Sequence, residues 1–357
     1  MVANRPAKSE GVVVASAPAP PARVPAIVTA GDTRAAKAVY GESKVFLEVA
    51  GRPLVAHLVL TLQSVPEVSE VWVVGDRERL EGVFASREIR AAIAKPLYLV
   101  SQGRNLLENA WGTFRRVVAR DPEHGRDPRA DEFDLQVLYL SGDIPFATPQ
   151  EISAFARACL ARPDCDYAFG YVPEEALAGF LPSGPGETGI EVAFFNLSDG
   201  RVRQNNLHFA RPARIGNRDR INDMYEHRHQ RQFWHMAALA WKVFFSRAAG
   251  PMIVILYAVM HISGLADRWK LRGLADRLRG WVSLRRNEEV IGRLLDARFA
   301  FVATEAGGCA VDVDTEQEYD AVCSHFESWR RAQRARAEAL YGPLQSEAAP
   351  AETRAEG

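Results

Sequence analysis

Through the first half of the chain, short apolar runs alternate with helical patterns, and the runs close on glycine or small polar residues. Residues 25–29 (PAIVT) read as a buried strand followed by a long polar loop. Residues 53–62 read as a helix, with Pro53 at its opening and Leu54, Leu58 and Leu62 stacked at i, i+4 and i+8. Strands are expected again at 71–74, before Gly75-Asp76, at 96–100, and at 135–140, before Ser141-Gly142-Asp143. A helix at 105–118 separates the last two, and another opens near Thr148-Pro149, where Glu151 stands in capping-box spacing from Thr148. This order requires crossover connections, so it predicts an α/β fold: a mostly parallel sheet with helices on both faces. Ligands of such sheets bind at the carboxyl ends of the strands. Function is therefore to be sought where the runs stop.

Beyond 166 the rhythm changes. A strand at 166–172 and a hairpin pairing 190–196 with 202–209 around Ser198-Asp199-Gly200 are expected. Residues from about 217 to 286 read as helical, and β character returns at 299–302 and 310–313 before a last helix at 316–339. The resulting layout is a flexible leader over 1–23 and a first α/β part over 24–215. A helical, basic and apolar insertion over 216–290 follows, then completion of the α/β domain over 291–340 and a flexible tail over 341–357. Ala-Pro-Ala-Pro-Pro in the leader suits neither a helix nor a central strand.

Composition removes several classes. A formal net charge of −1 argues against nucleic acid as a partner, because such domains are usually strongly basic. The four cysteines form no CxxC pair, so neither a structural zinc site nor a disulfide framework is expected, and reduced thiols in a cytoplasmic protein are.

Three stretches at expected strand ends carry the residue types that triphosphate chemistry needs. Ala30-Gly31-Asp32-Thr33-Arg34 follows the first strand, with Lys37 and Lys44 beyond it. A glycine there admits a phosphate to the backbone, and Arg34 and Lys44 can neutralise its charge. Gly142-Asp143-Ile144-Pro145 puts a carboxylate at the end of a central strand, which suits Mg²⁺ held by few carboxylates plus substrate phosphates. In Val311-Asp312-Val313-Asp314-Thr315, a strand would turn Asp312 and Asp314 to one side, while Asp314 or Thr315 can instead cap the last helix.

Taken in order, these stretches resemble the molybdenum-cofactor guanylyltransferase-like (MobA-like) nucleotidyltransferases. Ala30-Gly31, then Lys44-Val45-Phe46-Leu47 and Gly51-Arg52-Pro53-Leu54, looks like that family's opening motif. Gly142-Asp143-Ile144-Pro145 matches its Gly-Asp-x-Pro, and 313–318 matches its closing motif. The likeness covers about 25–172 and 298–330. It departs where Asp32 takes the place of a second loop glycine. The resemblance implies a Rossmann-like fold of GT-A type and an enzyme transferring a nucleoside monophosphate from a nucleoside triphosphate to a phosphorylated acceptor. Asp143 and Asp314 would hold Mg²⁺, Lys44 would stabilise charge at the α-phosphate, and Ala30, Gly31, Arg34, Gln102 and Gly142 would line the nucleotide.

The insertion carries an uncharged run at 248–266, with Trp234, Trp241 and Phe244 upstream and Arg268, Lys270, Arg272 and Arg277 downstream. A basic, aromatic flank is what an interfacial helix uses on anionic lipid, so peripheral membrane contact through 224–286 on the inner face is one expectation. A buried core helix and a homodimer-forming subdomain are the others. His227, Arg228 and Arg231 are candidate ligands of the acceptor phosphate. Two other functions compete: a nucleotide-sugar glycosyltransferase using Asp312-Val313-Asp314, and a non-catalytic nucleotide-binding or membrane-adaptor protein.

Overall fold

The computed structural model describes residues 22–31, 38–182, 184, 187–190, 192–217, 259, 280 and 282–344. Asp32, Arg34, Lys37, His227, Arg228, Arg231 and the run at 248–266, except Val259, lie outside them.

Among the described residues, β1 (Val24–Ala30), β4 (Val68–Gly75), β5 (Leu97–Ser101), β6 (Val137–Ser141), β7 (Tyr167–Pro173), β8 (Phe195–Leu197), β9 (Gly200–Ala210) and β10 (Phe299–Ala303) form one sheet. Its order is β10-β7-β9-β6-β1-β4-β5, with β8 on β9. β1 runs parallel to β4 and β6, β4 to β5, and β7 to β10. Only β8 and β9 break the parallel pattern, β9 running antiparallel to both β6 and β7. Two short strands, β2 (Glu48–Val49) and β3 (Arg52–Pro53), pair separately.

Alternation along β1 divides the core. Ala26 and Val28 pack with Leu58 and Leu62 of α1 (Leu54–Leu62), Leu80 and Phe84 of α2 (Arg77–Ala85), and Phe155 of α5 (Pro149–Leu160). Ile27 points the other way, to Phe114 and Val117 of α4 (Leu106–Ala119). Each such side chain contributes about 1.5–3 kcal/mol by leaving water, which is what commits the strands to two-sided cover. On the edge beyond β7, α6 (Leu284–Leu295) packs Leu295 against Ala210 and Phe299. It crosses position 290, where the sequence pattern closes the insertion. Helix α7 (Glu316–Tyr341) buries Val322 and Phe326 against Leu54, Phe146 and Phe180. The cysteines are free thiols.

Three expectations need correction. Residues 311–314 are not a strand: a 3-10 turn (Gly308–Ala310) precedes them, and they run as irregular chain into α7. Their alternation arises because Val311 and Val313 enter the apolar cluster of α7 while the aspartates turn away from it. The hairpin arm expected over 190–196 shortens to Phe195–Leu197. The capping box at α5 is half formed: Thr148 accepts from the Glu151 amide at 3.3 Å, but the Glu151 side chain turns into the interior. Helices α2 and α3 (Arg87–Ala91) were not expected at all.

Candidate active site

Lys44 sits on a single 3-10 turn (Lys44–Phe46), fixed by burial of Val45 and Phe46. Asp143 lies two residues past β6. The Gly142 amide donates to the Thr29 carbonyl at 2.9 Å, and a Cβ there would stand 3.2 Å from that oxygen and 3.3 Å from Val45. The missing side chain therefore lets the ends of β1 and β6 and the Lys44 turn close together. Asp314 arrives from the other end of the chain, one residue before Thr315. Thr315 caps α7 by accepting from the Glu318 amide at 3.2 Å, and Glu318 Oε2 accepts from the Asp314 amide at 2.7 Å. With Thr315 capping the helix, the Asp314 carboxylate faces the site.

There the three meet. Lys44 Nζ is 3.0 Å from Asp143 Oδ2 and 2.5 Å from Asp314 Oδ1. Ser141 Oγ donates to the other Asp143 oxygen at 2.5 Å. Asp143 is buried and Asp314 exposed, so one carboxylate is fixed and the other faces solvent. Burial pushes the Lys44 ammonium down, but Asp143 and Asp314 together outweigh it and hold the group above its ordinary value, hence charged. Asp312 stands beside them. Burial, then the Asp143 charge, push its carboxyl up to about 6, against the pull of Arg203, whose Nη2 donates to Asp312 Oδ1 at 2.8 Å.

A second group gathers at the ends of β1 and β5. A Cβ on Gly31 would come within 3.1 Å of Asn109 Nδ2 and 3.6 Å of Gln102 Oε1. Asn109 Oδ1 accepts from the Gly103 amide at 2.6 Å, and the Gln102 amide donates to the Gly75 carbonyl at 2.9 Å. At Gly75 a Cβ would lie 2.4 Å from the Ala30 carbonyl, so only glycine permits this approach. The structure thus brings Ala30, Gly31 and Gly142 to one rim with Lys44, Asp143 and Asp314, and sets Gln102 beside Gly31. Sequence reasoning missed Asn109, Arg203 and Ser141. Ser141 could have been found from its place just before Gly142-Asp143, whereas Arg203 carries no local signal.

Among the described residues, no group of three or more His, Cys, Asp or Glu is arranged to hold a metal. The donor chemistry nevertheless fits a hard cation, because two carboxylate oxygens from separate segments already converge on one positive centre, the Lys44 ammonium. Two surface clefts, of about 430 and 630 Å³, lie elsewhere, one against α2 and β5 and the other against α6.

A mostly parallel sheet whose strand ends gather glycines, a lysine and carboxylates has the form of a nucleotide-binding α/β domain. The comparison with known families is more specific: residues 26–182 match the model of the MobA-like NTP transferase domain. It is 32% identical over 147 residues to the bifunctional protein GlmU of Rhodospirillum rubrum, covering 41% of this chain and 26% of GlmU. It is 22% identical over 125 residues to 2-C-methyl-D-erythritol 4-phosphate cytidylyltransferase of Chlorobium luteolum, covering 35% of this chain and 49% of the relative. The chain thus spans about half of one curated relative and about a quarter of the other. A hypothetical transferase from Thermus thermophilus shares the fold, with a TM-score of 0.52 and 22% identity over 83% of this chain and 99% of that one.

Proposed function

We propose that the chain transfers a nucleoside monophosphate from a nucleoside triphosphate to a phosphorylated acceptor. The acceptor's phosphate oxygen forms the new bond to the α-phosphorus, the bond from that phosphorus to the β-phosphate's bridging oxygen breaks, and pyrophosphate leaves. The carrying observation is the meeting of Lys44, Asp143 and Asp314, from three distant segments, at the carboxyl end of the sheet.

The residues divide the work. Gly31 and Gly142 let the ends of β1 and β6 pack closely against their neighbours, which keeps this backbone at the rim where phosphates would bind. Lys44, held charged, stabilises negative charge building at the α-phosphate. Asp143 and Asp314 would hold Mg²⁺, which supplies Lewis-acid polarisation of phosphate oxygens when bound. Gln102 and Asn109, beside Gly31, fit contacts to the base. A phosphate monoester has a second pKa near about 6, so the attacking oxygen is already ionised at neutral pH and no protein base is required.

In this reading the catalytic unit is built from 24–215 and 291–340, around the insertion. The basic, aromatic flanks within 224–286 fit an acceptor presented at an anionic membrane surface, a lipid phosphate or lipid precursor, on the cytoplasmic side. Among the described residues no helix is long and apolar enough to cross a membrane. The glycosyltransferase reading has less support, because Asp312, the first carboxylate of its motif, is engaged by Arg203.

Thermal melting with each of the four nucleoside triphosphates and Mg²⁺ tests the binding half of the proposal. A ligand at 100 times its Kd stabilises by about 2.7 kcal/mol, so at least one nucleotide should raise the melting temperature, and Asp143→Ala should abolish that rise. No shift with any of the four would refute nucleotide binding.

A further inference from the structure

The segment carrying Asp314 belongs to neither sheet nor helix, since 311–314 lies in no regular element. Its apolar side is anchored by Val311 and Val313. Its polar side is held by β9, the strand antiparallel to β6 that ends beside Asp143. Arg203 Nε donates to the Ala310 carbonyl at 3.0 Å, and Nη2 donates to Asp312 Oδ1 at 2.8 Å. Two residues on, Asn205 Nδ2 donates to Thr304 Oγ1 at 3.0 Å, and Asn206 Nδ2 to the Cys309 carbonyl at 3.3 Å. Among the described residues, only Arg203 grips both the backbone and a side chain of the last stretch before Asp314. A guanidinium is planar and fixes two acceptors in one relative geometry, which a lysine cannot do.

Charge makes the contact necessary. Asp143, Asp312 and Asp314 crowd one end of the sheet against two cations, Lys44 and Arg203. With Asp312 tied to Arg203, the Lys44 ammonium is left to Asp143 and Asp314. Released, Asp312 would repel both neighbouring carboxylates.

We propose that Arg203 is a positioning residue that holds the Asp312–Asp314 segment so that Asp314 and Asp143 converge on one cation. The inference rests on the nucleotidyl-transfer reading, and it differs from a simple charge-balancing role in the sign of one effect. Removing Arg203 makes the site more negative. If its role is neutralisation, a divalent cation binds more tightly without it. If its role is positioning, the cation binds more weakly despite the added negative charge.

The test is Mn²⁺ titration of the full chain followed by electron paramagnetic resonance, with thermal melting to confirm folding of each variant. Arg203→Met should weaken Mn²⁺ binding by about tenfold or more, the scale typical of losing an outer partner of a metal ligand. Arg203→Lys keeps the charge but loses the fork, and should weaken it in the same direction. Asp312→Asn keeps the oxygen that Arg203 bonds while removing a charge, and should weaken Mn²⁺ binding less than Arg203→Met does, whereas an equal loss would assign the effect to the charge and overturn the positioning role. Unchanged or tighter Mn²⁺ binding in Arg203→Met overturns the proposal, and if that variant does not fold, Arg203→Lys decides on the same criterion. A wild type that binds no Mn²⁺, either alone or with a nucleoside triphosphate present, overturns the nucleotidyl-transfer reading and this inference with it. A wild type that binds Mn²⁺, with both Arg203 variants unaffected, overturns this inference alone.

Discussion

Replacing Glu151 should unfold the approach to the active site from a position that never touches it. This carboxylate on α5 is fully buried and accepts three hydrogen bonds from the loop after β10: Thr304 Oγ1 at 2.8 Å, the Gly307 amide at 3.1 Å and the Cys309 amide at 3.2 Å. The loop has no slack, since a Cβ on Gly308 would stand 2.1 Å from the Phe146 carbonyl and Gly307 adopts φ 96°. Glu151→Ala strands three buried donors, each worth about 1–3 kcal/mol when unsatisfied, so even with partial relaxation the loss should be about 4 kcal/mol. For a chain of this size each kcal/mol moves the melting temperature by roughly 1–2 °C, which gives a fall of about 5 °C. Glu151→Gln keeps the oxygen shared by Thr304 and Gly307 but turns an amide N–H toward the Cys309 N–H, and should cost about 1–3 kcal/mol. Calorimetry and urea midpoints on both variants measure this. If Glu151→Ala melts within about 1 °C of wild type, a shift corresponding to less than about 1 kcal/mol, the clamp does not support the loop.

Three further outcomes follow from the geometry. Lys44→Ala should lower the rate of pyrophosphate release by roughly two orders of magnitude, the scale of losing one preorganised donor, and normal turnover would remove Lys44 from the chemistry. His208, which accepts from or donates to the Tyr167 hydroxyl at 2.8 Å, is pushed down to about 4 by burial. The unfolded chain therefore binds its proton first, and stability should fall as pH drops from about 6.5 to about 4, by about 2 kcal/mol after discount for its partial exposure. Denaturation of His208→Phe across that range should show a shallower pH dependence, and an identical one would refute the assignment. Flotation with anionic liposomes should retain the wild type at low salt and lose it at high salt, since each basic residue contributes about 1 kcal/mol at the surface. A chain lacking 224–286 that floats equally well would refute the membrane reading.

Much of the sheet was legible because its strands read as continuous apolar runs, most of them covered on both faces: β1, β4, β5 and β6 fall where the sequence puts them. Helices α2 and α3 escaped notice because they bury little, Leu80 and Phe84 in one and Ile89 in the other, so their apolar period is faint. Asp76 capping α2, accepting from the Arg79 amide at 3.2 Å, was the available signal. At the site, Lys44, Asp143 and Asp314 were legible because each sits in a motif beside a turn. Asp312-Val313-Asp314 looked like strand because Val311 and Val313 alternate with the aspartates, yet that alternation reflects packing on α7. Arg203 and Asn109 were invisible, since their partners lie on other elements: Arg203 meets Asp312, 109 residues away, and Asn109 reaches back to Gly103 and Gly31. The spacing of Glu151 from Thr148 points to a local cap, whereas its side-chain partners lie more than 150 residues on.

The most direct test of nucleotidyl transfer is pyrophosphate release, measured with each nucleoside triphosphate and Mg²⁺ against a panel of sugar phosphates and polyprenyl phosphates. At least one pair should release pyrophosphate and form the nucleotide–acceptor phosphoanhydride linkage, with the activity lost in excess chelator and in Asp143→Ala while that variant still melts cooperatively. Release that persists in chelator, or an Asp143→Ala variant as active as wild type on the same pair, would contradict the assignment of Asp143 and Asp314 to a metal-dependent transfer.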